Sequence, residues 1–461
     1  MNAVAIIGGG PGGYEAALVA AQLGAEVTLV DSDGIGGSAV LTDCVPSKTL
    51  VATADVMVEV ADSPELGVRT EGLPGGVGVD LGAVNRRVLD LAAAQSADTR
   101  ARLERDGVRI ITGRGHLDGA NRVVAETATD TQGVDADVVL VATGAQPREL
   151  STAVPDGERI LSWTQLYGLD ELPERLVVVG SGVTGAEFAS AYHALGSDVV
   201  LVSSRDQVLP GQDADAAAVL EDVFVRRGLT VLPRSRAVAA ERQGDGVVVH
   251  LEDGRTVQGS HCLMAVGSFP NTAGLGLEDA GVTLDERGFV TVDRVSRTSA
   301  RGVYAAGDCT GVLMLASVAA MQGRTAMWHA LGDAVTPLDL TTVSSNVFTS
   351  PEIATVGWTQ AMLDSDEVHA SVVTLPLATN ARAKMSGIHD GFVKVFCRPG
   401  TGIVMGGVVV APSASELIHP IALAVECRLT VDQVARAFTV YPSLSGSVAE
   451  AARRLRSRPT R

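Results

Sequence analysis

VAIIGGGPGGYEAALVAAQLGAEVTLVD, from Val4 to Asp31, and VVVGSGVTGAEFASAYHALGSDVVLVS, from Val177 to Ser203, are one pattern used twice. Gly8 falls on Gly180, Gly10 on Gly182, Gly13 on Gly185, Glu15 on Glu187 and Gly24 on Gly196 at one constant offset. Each copy reads as a short apolar strand, a GxGxxG turn, an alanine-rich helix, a glycine stop and a second apolar strand. That is the context a dinucleotide-binding turn requires. The first glycine makes the tight turn, the second lets backbone approach a pyrophosphate, and the third lets helix and strand pack closely. The helix N-terminus then offers free N–H groups and the positive end of its dipole to the phosphates. A single GxGxxG is a weak signal because glycine-rich turns are common. Two copies, each between strand and helix, predict an α/β protein with two Rossmann-like dinucleotide-binding domains.

The two copies end differently. Asp31 closes the first, where a carboxylate bonds the ribose hydroxyls of an adenosine. The second ends Ser203-Ser204-Arg205, without a carboxylate. Hydroxyls and a guanidinium there suit a 2′-phosphate, which points to NADPH over NADH. The plainer alternative is a solvated loop, and the choice between the two nucleotides stays open.

The remaining composition sets bounds. A chain of 461 residues exceeds what one hydrophobic core supports, so two or three domains are expected. No apolar run reaches the roughly 18 residues of a membrane span. The N-terminus MNAVAIIGGG has neither a basic leader nor a cleavage site, so a cytoplasmic protein is expected. The net charge of -18 disfavours nucleic acid and anionic membrane as partners. Cys44, Cys262, Cys309, Cys397 and Cys427 form no CxxC, so neither zinc nor a disulfide framework is indicated, and no metal is expected. Only three lysines occur, Lys48, Lys384 and Lys394, in a chain whose other basic residues are arginine. Each of them calls for a reason.

Between the two units lies GGSAVLTDCVPSKTL, Gly36 to Leu50. With both fingerprints, VATGAQP (Val141 to Pro147), VYAAGD (Val303 to Asp308) and MLASVAAMQGR (Met314 to Arg324), it resembles the FAD-dependent pyridine nucleotide–disulfide oxidoreductases, the group of dihydrolipoamide dehydrogenase and glutathione reductase. The resemblance covers nearly the whole chain. It implies an FAD domain at 1–150 and 273–335, an NAD(P)H domain at 151–272, and a C-terminal α+β dimerisation domain at 336–461 that makes the protein a homodimer. It places FAD on Gly8, Gly10, Pro11, Gly13, Asp31, Gly37, Ser38, Lys48, Gly115, Thr143, Gly144, Asp308, Ala316 and Ser317. It places NAD(P)H on Gly180, Gly182, Gly185, Glu187, Ser203, Ser204, Arg205 and Gly267. In the family the lysine at Lys48 sits by the flavin and pairs with the glutamate at Glu187.

The departures from the family pattern carry as much information. The family's redox cysteines are spaced CxxxxC; here the second is Cys44 and the first position holds Ala39. A disulfide needs two sulfurs within bonding reach. The family's C-terminal HPTxSE supplies a histidine base to the partner subunit. Here the segment is TVYPSLSGS, Thr439 to Ser447, with Tyr441 at the histidine and Gly446 at the glutamate. Tyrosine, with a reference pKa of about 10, is a poor proton acceptor near neutrality. Three losses strike one mechanism while Lys48 and Glu187 stay. Val183 stands where many relatives place an aromatic gate over the nicotinamide. The pattern resembles the mycobacterial-type quinone reductases of the family, and implies an NAD(P)H dehydrogenase that reduces a quinone, with Lys48, Glu187, Cys44 and Tyr441 as its catalytic residues. Three alternatives remain at this point: a soluble transhydrogenase, a single-cysteine oxidase or disulfide reductase working through Cys44, and a redox-silent FAD-binding subunit.

Overall fold

The protein is described here by a computed structural model covering residues 2–69 and 77–456. It falls into two units, Met1–Thr49 with Asn85–Arg148 and Gly267–Asp339, and Leu50–Val84 with Glu149–Val266 and Leu340–Arg461.

The first unit is built on a five-stranded parallel sheet. Its order is Val303–Ala305, Val138–Val141, Ala3–Ile7, Glu26–Asp31, Arg109–Thr112. Continuous apolar strands such as AVAII and VVLV suit a sheet covered on both faces. The strand alternation divides the core in two. Val4 and Ile6 pack with Ala16, Ala17, Ala20 and Met327 of the helices Pro11–Gln22 and Ala316–Ala330. Ala5 and Ile7 pack on the other face with Leu117, Val123 and Ala125 of a three-stranded antiparallel sheet. The first strand lies between the second and Val138–Val141, so the chain order reverses beside it. Ligand crevices of open α/β sheets form at that switch point.

The second unit repeats the arrangement. A parallel sheet runs Thr230–Leu232, Asp198–Val202, Arg175–Val179, His261–Met264, Ile160–Ser162. Val177, Val179, Val200 and Val202 pack against Val247 and Val249 of an antiparallel meander. The same unit holds a five-stranded antiparallel sheet, Ser344–Val347, Glu352–Gly357, Val404–Ala411, Phe392–Cys397, Ser371–Pro376. Its final helix, Gly446–Arg456, buries Val448, Ala451, Ala452 and Leu455 and turns Arg453, Arg454 and Arg456 outward, the spacing of an amphipathic helix. Among the described residues no helix is long and apolar enough to cross a membrane.

Candidate active site

The two glycine turns have the same backbone. Gly8 has φ +103° and Gly180 φ +110°, conformations that favour glycine. A Cβ on Gly8 would collide with the Ala142 carbonyl, and one on Gly180 with the Ala265 carbonyl. A Cβ on Gly13 would strike the Gly8 carbonyl, and one on Gly185 the Gly180 carbonyl. The first and third glycines are therefore required by the chain itself.

The second glycines are not. Gly10 lies at φ -68°, ψ -177° and Gly182 at φ -70°, ψ -173°, extended values open to any residue. A Cβ on Gly182 would meet nothing within 4 Å, and one on Gly10 only the Gly37 Cα at 4.0 Å. The fold leaves space at both positions, and glycine there keeps it clear for something outside the chain. The helices Pro11–Gln22 and Val183–Leu195 also start without a side-chain cap and without an acidic residue in the first turn. The first-turn N–H groups, those after Pro11 in the first helix, have no intrahelical acceptor and no side-chain cap, the condition for binding an anion. Space above the second glycine and unspent amides together fit a dinucleotide pyrophosphate.

Around the first turn the expected residues assemble within one unit. Gly36 N donates to the Gly9 carbonyl at 2.8 Å, and Gly37, at φ +55°, brings the short helix Gly37–Leu41 with Ser38 against Gly10. Asp31 accepts from Gly9 N at 2.6 Å on one oxygen, and from Gly34 N at 2.6 Å and Asp33 N at 3.0 Å on the other. It holds the turn shut, and its two oxygens have lone pairs beyond those the amides use. Gly115 packs on Ile7 and Val30, where a Cβ would crowd both side chains. Thr143 Oγ1 donates to the Asn271 carbonyl at 2.7 Å, Asn271 Nδ2 donates to the Thr143 carbonyl at 3.0 Å, and Asn271 N donates to the Gly144 carbonyl at 3.0 Å. Sequence reasoning missed Asn271, which clamps the ATG stretch; its neighbours Gly267 to Pro270 were the available signal. It also missed Gln322, a buried amide that accepts from Gly307 N at 2.8 Å and so fixes the loop carrying Asp308. Ala316 and Ser317 open the helix that carries Gln322, again without a side-chain cap.

Burial, reinforced by the charge of Asp43, pushes the Asp308 carboxyl up to about 6. In the second unit burial, with Glu352 and Glu59, pushes Asp55 to about 6 as well. A carboxyl held above its ordinary 3.8 keeps a proton that the unfolded chain releases, so its own contribution to stability declines as pH rises from about 4 through 6. Asp308→Asn removes one such group. In the FAD-free protein its melting temperature should therefore gain on the parent's as pH rises from 4 to 7, read by calorimetry. A pH-independent difference between the two would count against this account.

Cys44 opens the helix Cys44–Asp62 and is half-buried; Lys48 lies one turn on, on the same face. Ala39 sits on the preceding helix. Cys262, Cys309 and Cys397 are buried and Cys427 is exposed. Burial pushes Cys309 up to about 11 and Cys262 up to about 12. Glu187 is buried, and its carboxylate accepts from Phe348 N at 2.8 Å. Gly267, at φ +94°, accepts from Arg148 N at 2.9 Å. Tyr441 is 86% exposed beside Phe438 and Val440, an apolar run turned to the outside.

Ser203 is fully buried, and its hydroxyl lies 2.7 Å from that of Ser181 and accepts from Arg205 N at 3.1 Å. It stands where Asp31 stands in the first copy and fastens the turn. Ser204, Arg205 and Asp206 are exposed on that loop. Val183, at the start of its helix, is also exposed. Among the described residues no group of His, Cys, Asp or Glu is placed to hold a metal.

The pyridine nucleotide-disulphide oxidoreductase model matches residues 2–323, and the dimerisation domain of the same name matches 343–452. The chain belongs to this family. Its members are FAD-dependent and use NAD(P)H, so the protein is an FAD-dependent oxidoreductase with NAD(P)H as its nucleotide, and it carries the family's dimerisation domain. It is 57% identical over 462 residues, 98% of this chain and 93% of the other, to a Mycobacterium tuberculosis protein named NAD(P)H dehydrogenase (quinone). It is 31% identical over 450 residues, 97% and 94% of the two chains, to the dihydrolipoyl dehydrogenase of Geobacillus stearothermophilus. The crystal structure of LpdA from Mycobacterium tuberculosis superposes with a TM-score of 0.94 at 56% identity, covering 99% of this chain and 100% of that one.

Proposed function

We propose that this family member is an NAD(P)H:quinone oxidoreductase that works as a cytoplasmic homodimer without a redox-active disulfide. The balanced reaction is NAD(P)H plus a proton plus quinone giving NAD(P)+ plus hydroquinone. FAD, when bound, supplies a carrier that takes a hydride from one substrate and returns two electrons to the next.

The observation that carries the reading is the broken cysteine pair: Ala39 holds the position that the CxxxxC spacing gives to the first redox cysteine, ahead of Cys44. The helix before it offers Ala39 where a partner thiol would sit. Cys262 and Cys309 are buried thiols whose raised pKa values disfavour thiolate. A thiol relay has no second station in sequence, whereas a planar quinone needs none. The relative named NAD(P)H dehydrogenase (quinone) supports the same acceptor class.

Within this reading the first fingerprint, with Gly37, Ser38, Thr143, Gly144 and Asp308, holds FAD in a domain of 1–150 and 273–335. The second, with Ser204 and Arg205, holds NAD(P)H in 151–272. Domain 336–461 forms the dimer. Lys48 would supply positive charge to the flavin, and Glu187 is kept with it as the family pattern implies. Cys44 and the partner subunit's Tyr441 line the acceptor face, where the tyrosine presents a flat ring and a hydroxyl to a quinone.

Steady-state assays with menadione, benzoquinone and lipoamide substrates test this. Quinone-dependent oxidation of NADPH or NADH is expected. Dihydrolipoamide oxidation without quinone reduction would overturn the reading. Cys44→Ala is expected to keep quinone reduction within roughly threefold of the parent, since no bond to sulfur forms in the cycle. Near-complete loss in that variant would favour the single-cysteine mechanism.

A further inference from the structure

Lys394 is one of three lysines in the chain and lies outside both dinucleotide turns. It lies on the strand Phe392–Cys397 of the antiparallel sheet and is 1% exposed. Its ammonium donates to Asp213 at 2.8 and 3.0 Å and to Asp215 at 2.7 Å. The Phe392 ring lies 5.5 Å away. Asp213 in turn caps the helix Ala214–Arg227, accepting from Asp215 N at 3.1 Å and Ala216 N at 3.2 Å.

Capping alone does not explain a buried cation. Thr359, Asn380 and Thr430 cap their helices without one. Nor does stability alone, because taking a charge pair out of water often costs as much as the pair returns. Such pairs earn a place when they fix one arrangement among several.

The arrangement fixed here is the loop from Ser203 to Asp213, which carries Ser204 and Arg205. At its front it is fastened to the second glycine turn. The Ser203 and Ser181 hydroxyls meet, and Leu209 N donates to the Ser181 carbonyl at 2.8 Å. Midway, Val208 N donates to Glu221 at 3.2 Å. Leu209 itself is buried with φ +53°, a conformation that a residue with a Cβ holds only when both sides over-determine it. At its back the loop ends on Asp213, and Asp213 ends on Lys394. A continuous series of bonds thus runs from the glycine turn to the strand of the dimerisation domain.

We infer that Lys394 is a positioning residue for pyridine nucleotide: through Asp213 it sets the loop that presents Ser204 and Arg205, so a residue of the dimerisation domain tunes affinity for NAD(P)H. This rests on the reading of the second fingerprint as the nucleotide site. Lys394 touches no substrate. Its loss loosens binding and leaves the later hydride step alone.

The test compares holoenzyme variants with intact FAD absorbance and unchanged dimer mass. Lys394→Met with Asp213→Asn removes both charges and leaves neither buried alone, and asparagine caps as well as aspartate. Asp213→Asn by itself keeps the cap and the lysine, and Lys394→Arg restores the charge. Both asparagine variants should raise KM for NADPH, the double one about tenfold, in line with couplings carried through packed networks. The turnover number should stay within about twofold and KM for menadione should not move. Lys394→Arg should recover part of the affinity. A merely structural role would lower melting temperature and active fraction without splitting KM from kcat. An unchanged NADPH KM in the folded variants overturns the inference. Gly182→Val in the same assay separates the failures: if it weakens NADPH and the Lys394 set does not, only the inference falls; if neither does, the nucleotide site itself was misplaced.

Discussion

Gly182→Val should lower the rate of anaerobic flavin reduction by NADPH by about 10²-fold or more while leaving the protein folded and loaded with FAD. The expectation comes from the difference between the three glycines of one turn. Valine at Gly180 or Gly185 would drive a Cβ into a backbone carbonyl and damage the fold. At Gly182 the backbone is extended, at φ -70° and ψ -173°, and the space beyond is open to 4 Å, so valine fits the protein alone. What valine removes is the approach a pyrophosphate needs to reach the uncapped amides of Val183–Leu195. Displacing a bound group by about 1 Å from its reactive position costs on that order. The measurement is stopped-flow loss of the 450 nm absorbance, with FAD content and melting temperature as controls. Reduction at the parent rate would show that the nucleotide binds elsewhere. Gly10→Val is the matching change in the first turn and should yield protein with little FAD.

The parts of this protein that were legible in its sequence are those governed by local rules. A parallel strand buried on both faces must be continuously apolar. A turn at φ above +100° strongly favours glycine. Those two constraints wrote the repeat from Val4 and from Val177 in plain letters, and the first and third glycines sit where the chain demands them. What the sequence hid is long-range. Asn271 and Thr143 lie far apart in the chain and meet through a backbone clamp. Gln322 reads as one polar residue in a helix until its amide is seen on Gly307. Ser203 follows its strand at the place where Asp31 closes the first. Its role depends on Ser181, which replaces Gly9 of the first copy and turns a carboxylate–amide bond into a buried hydroxyl pair. Lys394 was conspicuous by rarity, but its partner lies on another sheet's helix. Composition can flag such a residue; only the fold supplies the other end of the bond.

Lys48→Met should slow flavin reduction by NADPH by about 10²-fold with FAD retained, the usual effect of removing one preorganised group from a developing charge. A hydride brings negative charge to the ring system, and a fixed cation beside it lowers the cost of that charge. Methionine keeps the length and apolar stem of lysine, so packing along the helix Cys44–Asp62 is preserved while the ammonium is lost. The same change should make the bound FAD harder to reduce; a loss of about 1.4 kcal/mol corresponds to about 30 mV for a two-electron couple. Rate and potential are separable by stopped-flow reduction and by redox titration against a dye. An arginine at this position restores charge but spreads it over a planar fork, and should recover potential better than rate. If Lys48→Met lowers neither, the lysine serves the fold and not the chemistry, and the charge that assists the hydride must come from elsewhere, the amide dipoles of the helix Ala316–Ala330 being the next source to test.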